Sequence, residues 1–273
     1  MIEKLAENLV NLKKEFALKY EGNSQIQEII PTSKSESFPV DQDKLNLLHE
    51  FATRNPICYN SFEKIIDNVS CIVYECDVNK YWLNSIQHDS SHAPFSPTWI
   101  MSGYILSLFA KENGYSEIID IGSGDGRIAY CSKILGMESY SVELDNMLVD
   151  LQKSLTDDVN FNPICSDAVQ LDYSSLKLTK PLFFIGGLAQ MGGLELATGV
   201  LNKIKSDSNL WRDAGWIFAG TLSKKYPADS KNKAGWGSFI ENNSLQYIQN
   251  ISLPTAWSFH ESDETQYVFA KSL

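Results

Sequence analysis

IIDIGSGDGRIAY, residues 118–130, is the stretch on which the reading of this chain turns. Ile118, Ile119 and Ile121 make a short apolar strand, Gly122, Gly124 and Gly126 interrupt it, and a helical pattern follows from Arg127. A strand that runs through a glycine turn into a helix brings free backbone N–H groups and the positive end of the helix dipole towards a ligand. Glycine suits such a turn because, without a Cβ, it bends tightly and lets a ligand approach the backbone. The spacing narrows the ligand. A dinucleotide fingerprint, G-x-G-x-x-G, would put its third glycine at position 127, where Arg127 stands. Asp120 at the strand end and Asp125 inside the turn would repel a pyrophosphate, but suit a ligand carrying an amine and a sulfonium. A glycine turn with no ligand is the alternative.

Outward from this stretch the chain alternates. Strands are expected over 116–121, 138–142, 159–165, 181–185 and 214–220, and helices near 126–135, 146–155 and 194–205. That order predicts a parallel sheet covered by helices on both faces, with ligands at the carboxyl ends of its strands. Two of those ends carry acids. The second strand closes in SVELD, placing Glu143 about 20 residues after the turn, where a carboxylate accepts from ribose hydroxyls whether the cofactor is NAD or another nucleoside. The third closes in PICSDAVQLD, with Asp167 just past it; a turn or cap is the plainer role for that residue. Asp145 reads as a helix N-cap. At the end of the chain, TAWSFH (255–260) and TQYVFAK (265–271) flank the short link ESDE and read as a hairpin, hence an antiparallel strand.

These residues resemble class I S-adenosylmethionine-dependent methyltransferases. The likeness spans about residues 95–273 and is strongest over 116–145. Its wording, Pro97-Thr98 followed by DIGSGDGR and VELD, is nearest to the archaeal-type, seven-strand protein-lysine methyltransferases. The resemblance implies an α/β fold, a seven-stranded Rossmann-like methyltransferase sheet with a terminal antiparallel hairpin, and S-adenosyl-L-methionine as cofactor. It places Asp120, Gly122, Ser123, Gly124, Asp125 and Gly126 around that cofactor. It further implies that Glu143 accepts from the ribose, Asp167 from the adenine amino group, and that Ala168 offers its N–H to the adenine ring. Gly186 would approach the cofactor, and Thr98, with Phe95, would lie near its methionine end. Strand four, PLFFIGGLAQMGG, lacks the Asn/Asp-Pro-Pro-aromatic motif of enzymes that methylate base or glutamine amines. Ile164 separates Pro163 from Cys165, so no Pro-Cys nucleophile exists either, and DNA amino- and cytosine-C5-methylation are both disfavoured. No catalytic residue is named by the resemblance.

Length and charge set the remaining bounds. The 273 residues, 43% of them apolar, hold one large domain or a domain with an appendage. No apolar run is long enough to predict a membrane span, and the first residues do not read as a signal peptide. The net charge of −11 opposes general nucleic-acid binding and favours a basic protein partner. Five cysteines without a C-x-x-C pair read as buried, reduced thiols in a cytoplasmic protein. His88 and His92 lie in a polar loop with no third ligand nearby, and no metal site is expected.

Residues 1–94 are expected to form a mainly helical extension, a lid or a structural layer. One helix covers 2–20, a loop or linker 23–40, and a second helix starts at Asp41 and stops at Asn55-Pro56. FEKIIDNV (62–69) also reads as helix, and CIVYEC (71–76) as strand or buried helix. A further helix is expected from Ser96-Pro97, with Ser96 as its N-cap. The loop 222–236 carries Lys224, Lys225, Lys231 and Lys233 and is expected to border the acceptor site. Three functions follow: a protein methyltransferase acting on lysine, a small-molecule or RNA methyltransferase, and a nucleotide-binding module without catalysis.

Overall fold

Strand β4 (Glu117–Ile121) is buried at all five of its residues and divides the core in two. Ile118 points into one apolar cluster and Ile119 and Ile121 into the other, the two-residue alternation of a strand covered on both faces. The computed structural model describes residues 2–77, 97–155, 159–187, 192–220, 235–255 and 264–273. Among them, β4 belongs to a seven-stranded sheet of order β6-β5-β4-β7-β8-β10-β9. Its strands are β5 (Glu138–Glu143), β6 (Asn162–Cys165), β7 (Pro181–Ile185), β8 (Gly215–Ala219), β9 (Leu245–Pro254) and β10 (Glu264–Ser272). β4 pairs in parallel with β5 on one side and β7 on the other, so the strand order reverses beside it. The crevice of such a sheet opens at that reversal. The expected seven-stranded α/β architecture with a terminal antiparallel hairpin is therefore present.

Helices α3 (Ile100–Glu112) and α4 (Arg127–Ile134) pack on the Ile118 face, and α6 (Gly193–Lys205) packs on the other. Between them in sequence lies α5 (Asn146–Leu155); two short helices, α7 (Ser208–Asp213) and α8 (Gly237–Asn242), complete the second half. β10 runs antiparallel to both β8 and β9. The described partner of β10 in that hairpin is β9, which ends at Pro254; the expected strand 255–260 lies, apart from Thr255, outside the described residues. β9 is the edge strand of the sheet, and its exposed Gln246, Tyr247 and Ile248 hide the alternation that marks a half-buried strand.

The N-terminal part is a mixed layer rather than a mainly helical one. Its helices α1 (Ile2–Ala17) and α2 (Gln42–Arg54) stand close to where the apolar spacing puts them. The supposed linker, however, contains strand β1 (Ile26–Pro31), buried throughout, and FEKIIDNV is not a helix. It supplies the end of β2 (Cys58–Ile66) and the turn into β3 (Val69–Cys76), with Asp67 and Asn68 at φ of 46° and 62°. Two successive left-handed residues of this kind make a tight hairpin turn. β1, β3 and β2 form a separate antiparallel sheet.

The register of that hairpin sets Cys58 opposite Cys76, and the two are joined as a disulfide. The expectation of five reduced, buried thiols is thus corrected; of the rest, Cys71 and Cys131 are buried and Cys165 is exposed. Helix α3 also starts later than expected, at Ile100, because the Thr98 carbonyl and the Ile100 N–H are held by side chains from elsewhere. Ser96 and Phe95 lie outside the described residues, as do His88, His92 and Lys224 to Lys233. Among the described residues no helix is long and apolar enough to cross a membrane.

Candidate functional site

The turn after β4 has Gly122, Gly124 and Gly126 all in the left-handed region, at φ of 67°, 56° and 77°. The first and last do different work. A Cβ added at Gly126 would lie 2.8 Å from the Phe161 ring and 3.0 Å from Gln152, so this glycine serves the packing under α4. A Cβ at Gly122 would meet, among the described residues, nothing nearer than a Leu196 methyl at 3.9 Å, so no described side chain crowds this part of the backbone.

Most of the N–H groups expected to be free here are taken. Gly122 and Ser123 donate to the Val142 carbonyl at 2.9 and 3.3 Å, Gly124 to Glu143 Oε2 at 2.8 Å, and Gly126 to the Ser123 carbonyl at 2.9 Å. A phosphate cradle needs those donors unoccupied. The turn is instead shaped by its neighbours, including Gln152 from α5, a residue with no motif to single it out. Its amide donates to Ser123 Oγ at 3.0 Å and to the Gly124 carbonyl at 2.7 Å, and its carbonyl accepts from Ser141 at 2.6 Å.

Two carboxylates beside the turn have contrasting positions. Asp120 is 1% exposed, and among the described residues its Oδ2 has no hydrogen-bond partner. Burial, then the neighbouring Asp125 and Glu143, push its carboxyl well above the ordinary carboxylate range. A buried, unpaired carboxylate oxygen is costly unless something binds it. Asp125, expected beside the ligand as well, is fully buried and turned into the protein: Arg127 donates to both its oxygens at 2.9 and 2.6 Å, and Asn55 to Oδ2 at 2.9 Å. The opposing charge for Asp125 is Arg127, so only Asp120 of the pair is left for a ligand.

Glu143 stands at the end of β5. Its Oε1 accepts from the Leu144 and Asp145 N–H groups at 2.8 and 3.1 Å, and Oε2 from Gly124. An ionised carboxylate has about four acceptor sites, and these bonds take three. Burial raises its pKa, and those backbone donors work against the rise. Asp145 caps α5 as expected, accepting from the Met147 N–H at 2.8 Å. Asp167, exposed beyond β6, accepts from the Val169 N–H at 2.9 Å in a turn, and Ala168 beside it is buried. Gly186 is exposed immediately after β7. Thr98 is half-buried, its hydroxyl 3.1 Å from the hydroxyl of Tyr267 on β10. Asp120, Glu143, Asp167 and Gly186 thus follow or end adjacent strands at one edge of the sheet, with three acids and no basic side chain among them. Such a rim favours a ligand with positive charge.

No protein-family model matches the sequence, and no curated protein matches it. Solved structures are similar at low identity. A proposed RNA methyltransferase of Pyrococcus horikoshii shares 12% identity over 69% of this chain and 91% of its own, with a TM-score of 0.49. The ribosomal protein L11 methylase of Lactobacillus delbrueckii subsp. bulgaricus shares 14% over 63% and 80%, with a TM-score of 0.40. Magnesium protoporphyrin IX methyltransferase of Synechocystis, solved with S-adenosylmethionine, shares 14% over 72% and 96%, with a TM-score of 0.43. At these values the likeness assigns neither an activity nor an acceptor.

Proposed function

We propose that this chain is an S-adenosylmethionine-dependent methyltransferase whose cofactor lies across the carboxyl ends of β4, β5 and β6. The observation that carries the reading is Asp120 Oδ2, buried and without a partner among the described residues, beside a glycine turn most of whose N–H groups are already taken. That combination rejects a pyrophosphate and accepts a cationic amine. The chain's own residues then divide the work. Asp120 neutralises the amine, Gly122 leaves room for the methionine end, Glu143 uses its remaining acceptor site on a ribose hydroxyl, and Asp167 with the Ala168 N–H holds the adenine. When bound, the cofactor supplies an electrophilic methyl group; the protein orients it and excludes water.

The acceptor that the motif wording favours is a protein lysine amine, and the net charge of −11 supports a basic protein partner. A lysine must lose its proton before it attacks, against an ordinary pKa of about 10.4. Transfer of labelled methyl groups from S-adenosylmethionine to a cell extract, separated into protein, RNA and small-molecule fractions, tests this. Label in protein, released as methyl-lysine, is the expected result. Label confined to RNA or small molecules changes the acceptor. Thermal stabilisation by S-adenosylhomocysteine without any transfer would leave a binding module, and stabilisation by NAD alone would overturn the assignment.

Asp120 also gives the binding a pH dependence. Its carboxyl is raised in the free protein, so its contribution to stability is full below the unfolded pKa, near 3.9, and is lost as pH rises through the folded value. A cation beside it favours the ionised form, so cofactor binding releases a proton and affinity rises with pH across that window. Asp125, Glu143 and Arg127 all act on Asp120. Calorimetric titration with S-adenosylhomocysteine in buffers of different ionisation enthalpy should show proton release, and Asp120→Asn should remove most of it. A wild-type protein that takes up protons on binding would refute the role of Asp120.

A further inference from the structure

The N-terminal layer reaches the glycine turn through a buried chain of charges. Arg127, 3% exposed at the start of α4, donates to Asp125 inside the turn and, from Nη1, to Glu28 Oε1 and the Thr98 carbonyl, both at 2.5 Å. Glu28, on β1 and also 3% exposed, uses its other oxygen to accept from the Ile100 N–H at 2.9 Å. Asn55, following α2, completes the set by donating to Asp125 Oδ2. Burial raises the Glu28 carboxyl despite the guanidinium beside it. Two carboxylates therefore share one guanidinium in a dry interior, where geometry decides whether such a set holds.

Asp125 sits between Gly124 and Gly126, two residues with no side chain to fix them. The turn takes its shape from its anchors: Glu143 and Gln152 on the sheet side, and the Asp125 carboxylate on the side of the N-terminal layer. The same Glu28 fixes the segment 98–100 through Arg127 and Ile100. Thus one side chain of β1 holds the two segments that would flank the methionine end of the cofactor.

We propose that Glu28 and Asn55 are positioning residues for the cofactor turn, acting through Arg127 and Asp125. This rests on the cofactor assignment above, and gives the N-terminal layer a part in binding rather than in covering the sheet. Preorganised turns hold a ligand without first being ordered by it, so loosening the anchor lowers affinity without removing a ligand contact.

The test is calorimetric binding of S-adenosylhomocysteine to the full chain carrying Glu28→Gln or Asn55→Ala, with Val73→Ala as a control. Val73 is buried in β3 opposite Ile29, on the other face of that sheet from Glu28, and its truncation lowers stability without removing a bond of the network. The expected result is a Kd raised about tenfold in each network variant and unchanged within twofold in the control. Equal affinity in the network variants, or equal loss in the control, would overturn the proposal. Should Glu28→Gln fail to fold, Asn55→Ala decides. A wild-type chain that does not bind S-adenosylhomocysteine removes the cofactor assignment itself, a result distinct from variants that bind as well as wild type.

Discussion

Replacing Arg127 with alanine is expected to lower the unfolding free energy by about 3–5 kcal/mol, the cost of leaving buried charges uncompensated. The guanidinium is the shared partner of Glu28 and Asp125, at 2.5 and 2.6 Å, and all three side chains are 4% exposed or less. Its removal strands two carboxylates and frees the Thr98 carbonyl. Typical domains have only about 5–15 kcal/mol in reserve, so the variant should unfold at clearly lower urea and at a lower Tm. Glu28, whose carboxyl burial already raises, can limit the damage by taking up a proton, so the deficit should shrink as pH falls towards the ordinary carboxylate range. A loss below about 1 kcal/mol in a urea titration at neutral pH would mean that this network contributes no more than an exposed pair.

Replacing Glu143 with alanine is expected to raise the Kd for S-adenosylhomocysteine at least tenfold, and by as much as a hundredfold. Hydrogen bonds to a charged acceptor are each worth about 1.5–3 kcal/mol, and about 1.4 kcal/mol is a factor of ten. The variant loses the proposed bond to the ribose and, with it, the hold of Oε2 on the Gly124 N–H. Glu143→Gln should fall between the two, since its amide keeps one acceptor oxygen but no charge. The check is a titration at fixed pH beside a thermal melt of the free protein. A folded variant with wild-type affinity would take Glu143 out of the site.

Much of the sheet was legible from the chain. β4, β5, β7 and β8 and helices α4, α5 and α6 begin and end within a few residues of their expected bounds, because each carries its own signal: an apolar run, or a 3.6-residue spacing closed by glycine or a cap. The glycine turn could be read for the same reason. Its left-handed backbone is written in its own residues, and the acid at the end of β5 follows from counting along a regular α/β unit.

The misplaced pieces share a different cause. β1 reads as linker because its stretch is polar and carries Pro31 and Pro39, yet its polar Gln27 and Glu28 are buried, Gln27 against Ser24 and Glu28 against an arginine 99 residues later. The Cys58–Cys76 bond depends on a hairpin register that the spacing of the cysteines does not contain. Asp125 and Asp120 look equivalent in the sequence, five residues apart, yet one has both oxygens held by a guanidinium, while the other, held by the Ala129 N–H, keeps one oxygen without a partner among the described residues. Sequence alone determined the α/β alternation, the glycine turn and the acids at the strand ends, since propensity, periodicity and φ are properties of neighbours along the chain. Only the tertiary structure decided which acid is left to a ligand and how the N-terminal layer holds the turn. The state of a buried charge depends on its partner, and here the partners come from elements distant in sequence.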